Sequence, residues 1–421
     1  MADSVTTAMN TALSKVGSKA ATYLSACVHC GVCATACHYA QGSGEAKHIP
    51  IWKAELLKRQ YKRRYTWLGK LRGALGLIPK TTPEMLEEWS ELVFDTCSMC
   101  GRCSVVCPMG IDIPMLIRAM REGLTAAGIV PEGLKEATDR ALETGSPLGA
   151  TPEVFAERVA WMGDEWEQAI PVDQEGAEYL VLFSSIEIMK YPNAIGATAK
   201  ILNAAGLSWT VHSKNFEGTN FGYLQGSSPK AAKMLNRVVE AAEQLKVKKV
   251  VSPECGHAYG ALRWEAQNLL ARDLPFTVVQ IAELIDVLLS EGKIRVNREA
   301  KGGKATYHDP CQIGRRGGLF EEPRRVLHAI VPDANFSEMT ENRMDNWCCG
   351  GGGGVISIPR ADELRLKSFG MKKGQIEQVG AQRVVSTCSN CRLAFDSAFE
   401  HYGMKTEFVS LVELVAGNLE K

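Results

Sequence analysis

The sequence predicts an α+α/β fold: an α-helical domain over residues 1–165, followed by two pseudo-repeated α/β domains over 175–295 and 300–421. Up to about residue 165, good helix formers mix with apolar residues at helical spacing. From Glu178 onwards, short β-branched runs alternate with helical stretches, a pattern typical of parallel βαβ units. The two α/β halves resemble each other, because the run KVVSPEC at 249–255 has a counterpart in RVVSTCSNC at 383–391.

In the first domain, helices are predicted over 53–65, 83–94, 113–127 and 131–144. Pro83 and Pro131 mark two of the starts, because proline is favoured in the first turn of a helix. The section 145–178 contains several glycines and prolines, which predicts a linker or a wrapping segment.

The α/β domains are predicted from two similar sets of elements. The first set has strands at 179–183, 209–212 and 249–252 and helices at 194–205 and 229–245. The second set has strands at 306–308, 383–386 and 407–409 and helices at 324–329, 361–372 and 393–402. Both halves place a cysteine just past a strand, where open α/β sheets have their ligand sites.

Composition excludes several classes of protein. The 421 residues carry a formal net charge of zero, so no nucleic-acid partner is expected. The N-terminus lacks a basic stretch followed by an apolar core, and no run of 18 apolar residues occurs, so neither a secretory signal nor a membrane span is predicted. Of the 14 cysteines, 13 fall in the two N-terminal runs and one C-terminal pattern, which suit metal centres better than disulfides and favour a reducing cytoplasm.

Eight cysteines form two runs with the spacing Cys-x2-Cys-x2-Cys-x3-Cys, which is typical of paired [4Fe–4S] cubane clusters. The fourth cysteine of each run is expected to bind the neighbouring cluster. By that rule one cluster is held by Cys27, Cys30, Cys33 and Cys107, and the other by Cys97, Cys100, Cys103 and Cys37. Gly31 and Gly101 let the backbone approach a sulfide closely. The alternative is a pair of zinc knuckles.

The long interval between the two runs is filled with helix-forming residues. In this respect the segment resembles the α-helical ferredoxin module of respiratory and heterodisulfide reductase iron–sulfur subunits. It does not resemble the short bacterial ferredoxin.

A second cysteine pattern lies near the C-terminus: Cys311, the adjacent pair Cys348 and Cys349, and Cys388 with Cys391. This order resembles the cysteine-rich "CCG" domain of heterodisulfide reductase. That family also includes the K subunit associated with dissimilatory sulfite reductase and the iron–sulfur subunits of anaerobic glycerol-3-phosphate, glycolate and lactate oxidation. With the ferredoxin module, the resemblance covers nearly the whole chain.

The resemblance implies that these five cysteines hold one further [4Fe–4S] cluster, of the noncubane type, at which a substrate disulfide is cleaved. The alternative is a conventional cubane with one spare cysteine that only relays electrons.

The first α/β half departs from the family pattern. Ser184 and Ser185 stand where the single cysteine is expected, residues 215–222 contain no cysteine pair, and only Cys255 remains of the last pair. This half is therefore expected to bind no cluster. The resemblance implies that the same loss occurs in heterodisulfide reductase D-type and sulfite-reductase K-type subunits.

Four residues are candidates for catalysis beside the third cluster. Cys255 and His257 can position substrate or donate a proton, or can simply be buried structural residues. His308 can act as a general acid or, with Asp309, order the turn before Pro310. Arg315 can attract an anionic sulfur substrate or lie on the solvated surface.

The segment 47–72 is strongly basic and carries interleaved aromatic and leucine side chains, in a chain that is otherwise neutral. Such a segment suits anionic lipid headgroups or the cytoplasmic face of a membrane subunit. The alternative is a solvated helix face. We therefore expect a cytoplasmic protein attached peripherally to the inner face of the membrane, with a membrane-embedded haem or quinone-reactive subunit as partner.

Together these features predict an iron–sulfur oxidoreductase subunit. It would pass electrons between the membrane partner and a thiol or disulfide substrate, either a heterodisulfide or the di- or trisulfide of a small sulfur-carrier protein. One rival function is an electron-relay subunit of a flavin dehydrogenase. A second is a non-catalytic scaffold stabilised by zinc.

Overall fold

The computed structural model describes residues 2–299 and 302–420, which form two compact units. The first unit combines the chain up to Lys135 with the segments Gly222–Ser228 and Gly350–Met371, and the second contains the remaining residues. Residues 1, 300, 301 and 421, at the ends of the expected ranges 1–165 and 300–421, lie outside the described residues. The division into three consecutive domains stays a prediction.

The first part of the chain is helical, as expected. Its α-helices are Ala2–Ser14, Ser18–Ala26, His38–Ser43, Pro50–Tyr65, Trp67–Ala74, Pro83–Ser90, Arg102–Val105, Ile113–Ala126, Glu132–Thr144 and Pro152–Glu165. Later α-helices are Ser185–Lys190, Asn193–Ala204, Phe221–Gln225, Ser228–Gln244, Gly256–Gly260, Ala266–Leu270, Ile281–Ser290, Glu322–Ile330, Asp362–Val379, Ser389–Tyr402 and Leu411–Asn418. No helix within residues 2–299 and 302–420 is long and apolar enough to cross a membrane.

The helix Ile113–Ala126 organises the core of the first unit. It begins where the Asp112 carboxylate accepts the Met115 N–H, and it buries a stripe that includes Leu116, Met120 and Leu124. It packs against the N-terminal helix Ala2–Ser14. Gly123 allows the close approach, because a Cβ atom there would lie 2.4 Å from the Ala8 carbonyl oxygen.

The second unit contains two small parallel sheets. The strands are β1 Tyr179–Val181, β2 Trp209–Thr210, β3 Lys249–Ser252, β4 Thr277–Gln280, β5 Ala305–Tyr307, β6 Arg383–Ser386 and β7 Glu407–Ser410. Their order is β2-β1-β3-β4 in one sheet and β5-β6-β7 in the other. Side chains from both sheets, including Val251 and Val385, share one hydrophobic core. The sequence had not predicted β4 or the helix Ile281–Ser290 that follows it.

The segment expected to be a linker contributes to this core. Thr151 caps the helix Pro152–Glu165 through its hydroxyl, which accepts the Val154 N–H. Phe155, Val159 and Met162 recur at helical spacing and are buried in the core. The linker interpretation is therefore wrong for this stretch, because its apolar spacing outweighs the glycines and prolines on either side.

The two sheets share local geometry at the ends of β3 and β6. Each strand leads into a cysteine that caps the next helix: Cys255 has φ −142° and ψ 108°, and Cys388 has φ −149° and ψ 110°. β4 and β7 then pair in parallel with β3 and β6 and run directly into capped helices.

Candidate metal centres

The two N-terminal cysteine runs adopt the same backbone conformation. His29 and Met99, one residue before the second cysteine of each run, have φ angles of 57° and 56°. Gly31 and Gly101 follow with φ angles of 80° and 81°. A left-handed non-glycine residue is unfavourable, and its occurrence at the same position twice indicates a functional constraint on both loops.

Thiols of each run lie near thiols of the other run. Burial raises the pKa of Cys33, and the nearby thiols of Cys27, Cys107 and Cys30 raise it as well. Burial also raises the pKa of Cys103, together with the thiols of Cys100, Cys37, Cys97 and Cys33. We call Cys27, Cys30, Cys33 and Cys107 the outer cluster site, and Cys37, Cys97, Cys100 and Cys103 the inner cluster site. Thiols this close cannot all ionise unless a cation compensates their charge, as cluster irons do.

The inner cluster site has a ready-made cavity. A space of about 360 Å³, partly open to solvent, is lined by all four of its cysteines, and Lys53 and His38 also line it. In the outer cluster site, Cys30 is exposed. All 14 cysteines are free thiols, so no disulfide competes for these sulfurs.

Two lysines of the basic segment 47–72 point inwards, towards the cysteines. Lys53 is 2% exposed and Lys58 is 4% exposed. Lys53 Nζ lies 3.9 Å from Cys37 Sγ and donates to the Thr96 carbonyl. Lys58 Nζ donates to the Cys27 carbonyl at 2.9 Å. Sequence analysis had grouped both with the surface charges, because the composition of a helix does not reveal which of its faces is buried.

Sequence analysis gave no role to Arg121, which is fully buried beside the inner cluster site. Its guanidinium donates to the carbonyl oxygens of Val93, Cys97, Leu224 and Gly353 at 2.6–2.9 Å. Burial lowers its pKa to about 10, so it stays charged at neutral pH. Two of these carbonyls, those of Leu224 and Gly353, are 103 and 232 positions away in the sequence, so no local sequence signal could have identified the residue.

The five cysteines predicted for the C-terminal site are all buried: Cys311, Cys348, Cys349, Cys388 and Cys391. The sulfurs of Cys349 and Cys391 and a ring nitrogen of His308 all lie within 4.8 Å of one another. Hydrogen bonding with Cys349 and Cys388 raises the pKa of Cys391. The hydrogen bond from Cys391 lowers the pKa of Cys388, and N–H groups at the start of the helix Ser389–Tyr402 contribute.

His308 is a buried imidazole beside these sulfurs. Burial lowers its pKa far below the usual value, with the charge of Lys372 as the second cause, so the ring is neutral. Neither ring nitrogen has a hydrogen-bond partner of normal geometry among the described residues. Asn346 lies close enough to oppose the fall in the pKa of the ring. A buried imidazole without a hydrogen bond of normal geometry, next to clustered thiols, fits a site built for a metal cluster.

The loops that carry Cys311 and Cys348 are held by buried charges. Asp309 binds Arg324 through two hydrogen bonds of 2.7 and 2.9 Å, and it also accepts the Arg343 N–H. The guanidinium of Arg315 donates to the carbonyls of Met344 and Asn346 at 2.7 and 2.5 Å. The structure thus uses the Arg315 guanidinium to hold the loop before Cys348.

Lys372 is a second buried cation that sequence analysis missed. Its ammonium donates to Asn346 Oδ1 at 2.8 Å and to Gln375 Oε1 at 2.6 Å. Burial lowers its pKa to about 7, while Asp309 and the thiols of Cys348 and Cys349 oppose that shift.

The first α/β half contributes polar groups close to the C-terminal site. Burial raises the pKa of Cys255, with the charge of Cys388 as the next cause, so the Cys255 thiol is protonated. His257 is the second residue of the helix that Cys255 caps and is half-buried. Ser184, where the family pattern would place a cysteine, lies 3.0 Å from Ser389 between the hydroxyl oxygens.

Ser184 also binds Glu187, a buried carboxylate. Glu187 accepts the Ser184 N–H and hydroxyl at 2.7 and 2.6 Å and the Glu254 N–H at 3.2 Å. Burial raises the pKa of Glu187 to about 7, although these donors oppose the shift.

Comparison with known proteins agrees with this architecture. Residues 23–111 match the family model of the 4Fe-4S dicluster domain, and residues 305–396 match that of the cysteine-rich CCG domain. The Hdr-like menaquinol oxidoreductase iron-sulfur subunit 2 of Archaeoglobus fulgidus is 28% identical, over 94% of this chain and 80% of its own. The D subunit of the dihydromethanophenazine:CoB–CoM heterodisulfide reductase of Methanosarcina barkeri is 29% identical, over 93% of both chains.

The two domains and the clustered thiols define the class: an iron–sulfur electron-transfer oxidoreductase subunit in which a dicluster ferredoxin domain precedes a CCG domain. Within that class, the chain is similar over nearly its whole length to the D subunit of heterodisulfide reductase and to Hdr-like iron–sulfur subunits. These similarities support the resemblance that the cysteine spacing had indicated.

Proposed function

We propose that the protein passes electrons between a membrane-embedded haem or quinone-reactive subunit and a thiol or disulfide substrate at the C-terminal site. The substrate would be a heterodisulfide or the di- or trisulfide of a small sulfur-carrier protein. The convergence of Cys349, Cys391 and the unpartnered His308 in a buried site carries this proposal.

Three clusters would carry the electrons. The outer and inner cluster sites would each hold a [4Fe–4S] cubane through their four cysteines. The C-terminal site would hold a further [4Fe–4S] cluster of noncubane type through Cys311, Cys348, Cys349, Cys388 and Cys391. One thiolate more than a cubane needs, in a fully buried set, supports this assignment.

When bound, the C-terminal cluster would exchange single electrons with a substrate sulfur. Reduction of a disulfide takes two electrons and two protons and yields two thiols, so the surrounding residues must also supply protons. Cys255 carries a proton because burial raises its pKa, and its sulfur lies 3.9 Å from the Thr219 hydroxyl. The neutral His308 and the nearby His257 are the other candidate proton carriers. Arg315 would position the loop that carries Cys348.

The first α/β half would be a degenerate copy of the second that has lost its cluster. The matching caps at Cys255 and Cys388 support this interpretation. So do reciprocal contacts at the ends of β4 and β7. Gln280 Nε2 donates to Thr387 Oγ1 at 3.2 Å, and the Ser410 hydroxyl donates to Glu254 at 2.5 Å. In this arrangement the degenerate half supplies residues beside the cluster of the intact half.

The membrane partner would bind the exposed part of the basic segment 47–72 and the helix that ends it. Trp67 is 77% exposed and Leu71 is 50% exposed on the helix Trp67–Ala74, which also exposes Lys70 and Arg72. Exposed aromatic and leucine side chains among cations suit the interface of a membrane. We therefore place the protein on the cytoplasmic side of the membrane, bound peripherally.

One relative favours a second candidate function, in which the chain only relays electrons. The EtfAB:quinone oxidoreductase of Syntrophomonas wolfei is 26% identical over 87% of this chain and 54% of its own. In that case the C-terminal site would hold a conventional cubane with one spare cysteine. A scaffold stabilised by zinc is a third possibility, which the iron and acid-labile sulfide content would decide.

The test is electron paramagnetic resonance of the anaerobically purified protein, with and without a thiol substrate under oxidising conditions. We expect a substrate-dependent paramagnetic signal that disappears in Cys349→Ser. In Cys255→Ser we expect full iron content and an altered substrate dependence. If fully loaded protein gives no substrate-dependent signal, the relay function is correct. A colourless protein without acid-labile sulfide would exclude both functions.

The docking surface has its own test. Trp67→Ser should release the protein from the membrane fraction of its host without loss of iron. Trp161→Ser is the matched control, because Trp161 is 47% exposed but belongs to the second unit and not to the basic segment. Equal release of both variants, or of neither, would contradict the proposed surface.

A further inference from the structure

The inner cluster site lies beside two buried cations, Lys53 and Arg121, that make no hydrogen bond to a carboxylate within residues 2–299 and 302–420. Lys53 and Arg121 direct their hydrogen bonds to carbonyl oxygens and to the Cys37 sulfur. Asp95 lies close enough to act on Arg121, but its carboxylate is bound through both oxygens by Arg360 at 2.7 and 3.3 Å. The surroundings of the inner cluster site therefore carry an excess of buried positive charge.

The outer cluster site is different. Its buried cation, Lys58, bonds to the Cys27 carbonyl and lies 3.0 Å from His29 Nε2. The carboxylate of Glu55 is within 3.0 Å of the same His29 nitrogen and acts on Lys58, although Arg59 also binds it at 3.1 Å. Cys30 is exposed, so solvent screens charge at this site. The charge of Lys58 is therefore screened more strongly at the outer cluster site than the charges of Lys53 and Arg121 are at the inner cluster site.

This difference matters because reduction adds one negative charge to a [4Fe–4S] cluster that its thiolates already make anionic. Burial alone disfavours that added charge. A nearby buried cation favours it, and a hydrogen bond to a ligand sulfur does the same. Unscreened cations within several ångströms act strongly in such an environment.

We propose that Lys53 and Arg121 raise the reduction potential of the inner cluster above that of the outer cluster, so that the inner cluster holds the electron. The proposal rests on the two cubanes of the proposed function. With clusters bound at both sites, the outer cluster would lose one electron and be oxidised, and the inner cluster would gain that electron and be reduced. Lys53 and Arg121 are positioning residues for this transfer and do not touch the substrate.

The experiment is a redox titration of the anaerobically purified full-length protein, followed by electron paramagnetic resonance. Lys53→Met keeps the volume of the side chain and removes its charge. At a fixed potential, we expect the ratio of reduced to oxidised inner cluster to fall about tenfold, which corresponds to about 59 mV for a one-electron couple. Only the potential of the cubane with the higher potential should fall. Lys53→Arg, which keeps the positive charge, should leave that potential close to the wild-type value.

Lys58→Met is the matched control, from the same helix and equally buried. It should lower only the reduction potential of the cubane with the lower potential, and by less, because solvent at the exposed Cys30 screens the charge of Lys58. It also tests the proposal independently if Lys53→Met fails to fold. The proposal would be overturned if Lys53→Met changed the reduction potential of neither cubane. It would also be overturned if Lys58→Met changed the potential of the cubane with the higher potential. Wild-type protein without two [4Fe–4S] signals would instead refute the clusters themselves.

Discussion

The ion pair of Asp309 and Arg324 should be essential for the second unit. Arg324→Met removes a guanidinium that makes two hydrogen bonds to Asp309 and two to Glu338. Asp309 is 1% exposed, so its carboxylate would remain buried without its cation. Removing one partner of a buried pair costs about 3–5 kcal/mol. In a unit of this size, that lowers the thermal midpoint by about 6–20 °C.

The neighbouring Arg325 provides the control on the same helix. Its side chain is 56% exposed and it binds Asp286 at the surface, so Arg325→Met should cost no more than about 1 kcal/mol. Both variants are followed by anaerobic thermal unfolding and by iron content. Arg324→Met should also lose iron from the C-terminal site, because Asp309 precedes Cys311 by two residues. Equal thermal midpoints for the two variants would refute the reasoning.

Two further predictions concern other buried positions. The pKa of Glu187 is raised to about 7 in the folded protein, so folding favours the protonated side chain. The stability gained from this protonation is fully present below the unfolded pKa of about 4.3 and is lost as pH rises through 7. Glu187→Gln should therefore flatten the decrease of the thermal midpoint between pH 5 and 8, and an unchanged slope would argue against this titration. Gly353→Ala should cost about 1–3 kcal/mol and reduce the iron content, because φ is +64° and a Cβ atom would meet Cys97 O at 2.8 Å. Gly374→Ala, in a helix with open space around it, should be neutral or stabilising, and equal losses in both glycine variants would contradict the proposed contact.

Local sequence patterns predicted much of the fold. The strands at 249–252 and 383–386 match β3 and β6, because β-branched residues bounded by turns carry a local signal. The helix starts near Pro83 and Pro131 were also predicted from local chemistry. β4 was missed because its four residues run directly into an apolar helix, so the boundary between them has no turn residues.

Of the candidate sites, mainly the cysteines could be predicted, because their spacing is visible in the sequence. Spacing identified the thiols, whereas the buried charges around them depend on contacts between distant residues. Arg121 meets Gly353 across 232 positions of the sequence, and Arg360 meets Asp95 across 265. Lys53 and Lys58 were recognised as cations, but their orientation depends on how their helix packs.

The discontinuity of the first unit has a consequence for biosynthesis. Its core needs Gly222–Ser228 and Gly350–Met371, because Arg121 finds acceptors at Leu224 and Gly353. A ribosome releases these segments long after the eight N-terminal cysteines have emerged. The thiols therefore stay without their complete surroundings until residue 371 has left the ribosome. For the same reason, a fragment that ends at residue 165 should fail to keep its iron.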